Sequence, residues 1–278
     1  MARADHNGTE LLDGAARGAD PNGPTGVDVA VIGAGLAGLT AAAVAARTGA
    51  RVAVLDSRRP GGRASTTVVE SGAVFNAGPR ALYRTGAAWR VLTALGIEPR
   101  GGVAPTEGHG LRRGEVHELP GTPVKLLRSK LFSRASKFRL ARLLGGLERI
   151  DADELDGVSL GRWLDDHRLD DDARALVRAT VRTVTYVDDL GLSAGTAVRQ
   201  LRLGLGRGQG VSYLDGGWQQ LVDALLDDLA GRGVEVVTGS PVRVVEPARG
   251  GSDGRAPGWV VRTADRAVRA AAVVVATG

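Results

Sequence analysis

The chain has 278 residues, 43% hydrophobic and 24% charged, which is ample for a large core and two domains. Its net charge of +5 is mostly arginine and too mild to argue for nucleic acid as a partner. With Cys 0, disulfides and thiolate metal sites are excluded, and no apolar run reaches the roughly 18 residues needed to span a bilayer.

Residues 1–26 mix Gly, Asp, Asn, Pro and Ala without periodicity and read as a disordered tail. They hold no hydrophobic segment of the kind that a secretory leader needs, so the expected location is cytoplasmic. Organisation begins at Val27. Val27 to Ile32 is a short, mostly apolar run, suited to a strand buried on both faces of a parallel sheet. Gly33-Ala34-Gly35-Leu36-Ala37-Gly38 follows, then an Ala-rich, proline-free helical segment to Thr48. Gly49 ends it, Arg51 to Leu55 is a second strand, and Asp56 closes that strand. In this context Gly33 permits a sharp turn, Gly35 permits close backbone approach to a ligand, and Gly38 lets helix pack on strand. The helix N-terminus, with Leu36 and Ala37 in its first turn, then faces a pyrophosphate, and Asp56 stands where an acid binds the adenosine ribose. The alternatives are an ordinary Gly-rich turn and an Asp56 that caps the next turn.

Arg58-Arg59-Pro60-Gly61-Gly62-Arg63-Ala64-Ser65 comes next. With the preceding fingerprint it resembles the FAD-dependent superfamily of amine oxidases, protoporphyrinogen oxidases and phytoene desaturases, in which a Gly-Gly-Arg element holds the FAD pyrophosphate and ribityl region. The resemblance implies FAD as cofactor and assigns Gly62 and Arg63 to it. Backbone N–H groups beside a permanent, planar cation suit that role; a basic surface loop is the other reading. The family more often has Glu where this chain has Asp56. With no cysteine, a covalent flavin link through that residue is excluded.

Thr66–Val69 and Ala73–Phe75 read as short strands around Ser71-Gly72. Gly78-Pro79 matches a turn that lies beside the isoalloxazine ring in the resembled family, with Pro79 expected to open a helix; a plain loop-to-helix junction is equally consistent. Arg80 is either an anion-steering group or a solvated one. Helical character continues to Leu95 and stops at Gly96, and a small hairpin should turn at Arg113-Gly114. From Lys125 to Leu144 seven cations mix with Leu127, Leu131, Phe138 and Leu140, without an acid. This reads either as a basic amphipathic helix pair lying on an anionic membrane surface or as a helical lid with a solvated basic face. Ser159 should cap a helix bearing Leu160, Trp163 and Leu164, and helices are expected over 173–184 and 193–205. His167 and the nearby carboxylates lack metal-ligand spacing, so no metal site is expected. The glycines of 204–210 imitate a second fingerprint but follow a helix, not a strand, and read as a flexible connection.

After Gly216-Gly217-Trp218 a helix over 219–230 leads to strands at 234–237, 241–245 and 259–262. The resemblance makes Val242 the residue whose backbone brackets adenine, and matches the closing Ala276-Thr277-Gly278 to a strand end beside the cofactor. In the resembled family a further C-terminal third follows, which this chain is expected to lack. The expected fold is α/β: a Rossmann-like FAD-binding domain (27–78 and 211–278) with an inserted, mainly α-helical substrate domain (79–210). The expected function is FAD-dependent oxidation or desaturation, with hydride leaving a C–H or C–N bond of an apolar, lipid-soluble or amine substrate. The rivals are a non-catalytic or truncated cofactor-binding subunit and an NAD-dependent dehydrogenase. The candidate cofactor residues are Gly33, Gly35, Leu36, Ala37, Gly38, Asp56, Gly62, Arg63, Gly78 and Val242; no catalytic residue is assigned.

Overall fold

A computed structural model describes residues 25–103, 108–112, 114–205, 210–248 and 258–277, in two compact units, 1–78 with 218–278, and 79–217. The expected tail lies outside the described residues except at its end, where Thr25 and Gly26 already belong to the first strand.

The first unit opens with β1 (Thr25–Ile32), α1 (Leu36–Arg47) and β2 (Val52–Leu55), followed by the hairpin β3 (Thr66–Val68) and β4 (Val74–Asn76). β1 and β2 run parallel, as a helical crossover requires. Val52 to Leu55 are all buried, which explains why this strand shows no alternation in sequence. α1 turns Gly38, Leu39, Ala42 and Ala43 inward, a face of mostly small residues that allows close approach.

The second unit carries β5 (Leu82–Tyr83), α2 (Ala87–Ala94), β6 (Gly101–Val103), the hairpin β7 (His109–Arg112) and β8 (Glu115–Glu118), then α3 (Pro123–Arg128), α4 (Arg134–Gly146), α5 (Leu160–Asp166), α6 (Asp171–Thr185), α7 (Ala194–Leu205) and β9 (Val211–Leu214). Its core gathers Leu126, Phe132, Leu140, Leu143, Trp163, Leu164, Val177, Val181, Val198 and Leu201 from five helices and the α3–α4 connection. Asp170 ties two of them together. It caps α6 by accepting from the Ala173 N–H at 2.9 Å, and it also accepts from Ser136 and Ser133 at the start of α4.

The chain returns to the first unit with α8 (Gln219–Gly231), β10 (Glu235–Val237), β11 (Val244–Ala248), β12 (Gly258–Arg262) and β13 (Ala267–Val275). The sheet order is β10-β2-β1-β13-β12-β11. β10, β2, β1 and β13 are parallel, and β12 and β11 continue the sheet antiparallel. α8 packs beside α1, where Arg47 meets Asp228 at 2.9 Å.

Three expectations need correction. Pro79 starts no helix: β5 follows it, and α2 begins only after Gly86, whose extended backbone forms the N-cap. Residues 211–214 do not lead into the returning helix; they form β9, between β5 and β6, so the second boundary falls after Gly217 and not after 210. Val242 lies in the loop before β11, because that strand pairs only from Val244, opposite Arg262.

Candidate functional site

The C-terminal ends of the parallel strands converge, and there the loops are bonded to one another. Past β1, the Gly33 N–H donates to Leu55 O at 2.8 Å. Gly33 has φ +108, and a methyl group on it would come within 2.7 Å of the Ala276 carbonyl, so only glycine fits. Gly38 has no room for a different reason: a side chain there would overlap the Gly33 carbonyl. Gly35 is the opposite case. It has ordinary φ and ψ of −74 and 175, and a methyl group there meets nothing within 4 Å. The loop is therefore closed on its strand side and open at the start of α1.

That helix start is left uncapped. Gly35 is its N-cap and offers no side-chain bond, and the first turn has no acid. Among the described residues no side chain takes the first-turn N–H groups, such as that of Ala37, and with the positive end of the helix dipole they remain available to an anion. The second glycine loop is laced to the first. The Gly61 N–H donates to Ala34 O at 2.8 Å, pairing the chain at Gly35 and Gly61, and Gly62 lies against the Gly35 Cα. Gly62 and Arg63 form an exposed 3-10 turn, and the Arg63 side chain has no hydrogen bond or ion pair among the described residues. Gly78 backs onto Arg63: a methyl group on Gly78 would stand 2.9 Å from the Arg63 carbonyl oxygen.

Asp56 is the hinge of the cluster. Its Oδ2 accepts from the Ala34 N–H at 2.6 Å and its Oδ1 from the Arg58 N–H at 2.8 Å. Its own N–H donates to Val237 O, and its carbonyl accepts from Ser240, both at 2.9 Å. The acid thus caps its own turn and also braces the first glycine loop. Val242, two residues past Ser240, is half-buried against the cluster of Ala30, Ile32 and Leu55. The structure therefore gathers Gly33, Gly35, Leu36, Ala37, Gly38, Asp56, Gly62, Arg63, Gly78 and the loop of Val242 within one unit.

Sequence reasoning missed the support of this rim. Asn76 Oδ1 accepts from Thr66 Oγ1 and from the Trp218 N–H, each at 3.0 Å, and Thr66 Oγ1 accepts from the Gln219 N–H at 3.1 Å. This fastens the β3–β4 hairpin to the start of α8. A signal existed: Thr66 and Asn76 are equidistant from Ser71, so a hairpin turning there must pair them.

Comparison with known proteins fits this geometry. The family model for flavin containing amine oxidoreductases matches residues 36–278. The chain belongs to that family. Its cofactor is FAD, and the fold is the family's α/β fold. The Mycobacterium tuberculosis protein AofH, whose name assigns it provisionally as a flavin-containing monoamine oxidase, is 31% identical over 246 residues, 81% of this chain and 52% of AofH. The chain therefore spans about half the length of the curated relatives that it matches. Wild-type putrescine oxidase bound to putrescine superposes with a TM-score of 0.70 at 26% identity, over 92% of this chain and 59% of that one. Cyclohexylamine oxidase from Brevibacterium oxydans gives 0.65 at 22% identity, over 90% and 58%, a likeness of fold.

The second unit holds no comparable cluster among its described residues. A groove along α6 is lined by Arg174, Arg178 and Arg182. These arginines are paired with Asp165 and Asp188, so they offer no free charge to a ligand. Arg80 lies over the Tyr186 ring at 5.5 Å, and His167 packs on Trp163.

Proposed function

We propose that the protein binds FAD at the converging strand ends of the first unit and oxidises the C–N bond of an amine. The observation that carries this is the uncapped start of α1, laced to the Gly61–Arg63 turn with Asp56 beside both. The Leu36 and Ala37 N–H groups would hold the pyrophosphate from the helix side, and Gly62 and Arg63 from the loop side. Asp56 keeps lone pairs on both oxygens after accepting one N–H on each, enough to take the ribose hydroxyls. The backbone of Val242 would border adenine, and Gly78 would hold the Arg63 main chain in place.

FAD supplies the two-electron acceptor; the chain's own share is to bind it, to position the amine and to exclude water. The names of the relatives favour an amine over a polyene: monoamine, putrescine and cyclohexylamine are the substrates that those names print. The test is an anaerobic titration of the purified holoprotein with a panel of mono- and diamines. At least one amine should bleach the flavin absorbance stoichiometrically. A protein that stays colourless in excess FAD, or a flavin bleached by NADH and by no amine, would overturn the proposal.

A further inference from the structure

We infer that the α3–α4 pair of the second unit is a docking surface for anionic lipid. From Leu119 to Leu147 the chain has no Asp or Glu, but it carries Lys125, Arg128, Lys130, Arg134, Lys137, Arg139 and Arg142. α4 turns Ser136, Leu140 and Leu143 into the core, so its opposite face carries Arg134, Phe138 and Arg142 at successive turns. Phe138 is 70% exposed, Leu127 67% and Val124 56%. An aromatic ring framed by arginines, with exposed aliphatics on the preceding helix, is the pattern of helices lying in a membrane interface.

Four of the seven charges are free to act. Lys125 is engaged with Glu118, Lys137 donates to Leu127 O at 2.8 Å, and Arg139 faces Asp170. Arg128, Lys130, Arg134 and Arg142 have no ion pair among the described residues. The platform is also held in place. Thr122 and Ser133 cap the two helices, and Leu126, Phe132 and Leu140 anchor them. A lipid surface uses both halves of this face, phosphates taking the cations while Val124, Leu127 and Phe138 enter the acyl boundary. A phosphate polymer would satisfy the cations but leave the aliphatic side chains in water.

The inference is independent of the amine reading and is tested by sedimenting the holoprotein with vesicles. Binding is expected to vesicles containing phosphatidylserine at low salt, and to be lost with pure phosphatidylcholine or at high salt. R134E and R142E should each weaken binding by about fivefold or more. The pair L127S/F138S should weaken it by about tenfold or more at unchanged salt dependence. These side chains are exposed, so circular dichroism and flavin absorbance should stay at parental values. No sedimentation with anionic vesicles would overturn the inference. So would equal binding to neutral ones, or parental binding by L127S/F138S. Retention on duplex DNA as tight as on vesicles, and insensitive to L127S/F138S, would assign the face to phosphate polymers instead.

Discussion

Gly35 and Gly38 share a loop but have opposite reasons for being glycine. At Gly38 the obstacle is backbone, the Gly33 carbonyl, which cannot rotate away as a side chain could. Gly38→Ala must push α1 off the end of β1, and should destabilise the protein by about 2–3 kcal/mol, as overpacking does. At Gly35 the backbone suits any residue and the space is open. As apoprotein, Gly35→Ala should therefore melt at the parental temperature, yet it should lose roughly tenfold or more in FAD affinity, because in the proposed site its methyl group would occupy the approach of the phosphates. Thermal melts and flavin fluorescence titrations of both variants check this contrast. Equal loss of stability in the two would mean that Gly35 is structural. Both glycines were legible in the sequence, since the fingerprint fixes their spacing. The bracing of the loop by Asp56 was not: the motif names the acid for its ligand, and nothing in the spacing says that its carboxylate already accepts the Ala34 N–H.

At the scale of elements, the helices were legible where a polar cap preceded a periodic apolar face, as at Ser159 before Leu160, Trp163 and Leu164. The short strands β5, β6 and β9 were not, because two to four residues hold no period and their pairing is long-range. Nor was the link between α4 and α6, which joins residues distant in sequence. Burial pushes the Asp170 carboxyl up, but the bonds from Ser136, the Ala173 N–H and Ser133 outweigh it and hold the group below its ordinary 3.8. A carboxylate with a lowered folded-state value contributes stability that is complete above the unfolded value and is lost as pH falls through the folded one. Asp170→Ala should cost about 1–2 kcal/mol at neutral pH, from the lost cap and the orphaned serines. Urea melts of both proteins should show that gap constant down to about pH 5 and closing below pH 4. A gap that persists undiminished in acid would show that the carboxylate charge is not what joins the helices.

At the scale of the whole chain, the crossover β1–α1–β2 and the closing strand β13 meet at one end of the sheet although they lie at opposite ends of the described chain. A ligand bound there would add to the β1–β2 and β1–β13 ladders that already join these segments. By mass action such a ligand stabilises the native state by about 2.7 kcal/mol at a hundredfold excess over its dissociation constant, a shift of a few degrees in melting temperature for a chain of this size. The first fingerprint alone would accept FAD or NAD, since both carry a pyrophosphate and an adenosine ribose. In the proposed reading the Gly61–Arg63 turn distinguishes them, because Gly62 and Arg63, which has no hydrogen bond or ion pair among the described residues, would reach beyond the shared pyrophosphate to the ribityl region, where the two cofactors differ. FAD should therefore raise the melting temperature of the apoprotein, and NADH at the same concentration should leave it nearly unchanged. Arg63→Ala, which removes no hydrogen bond or ion pair among the described residues, should reduce the FAD shift without moving the melting temperature of the apoprotein. An equal shift with NADH would mean that the second loop does not select the flavin.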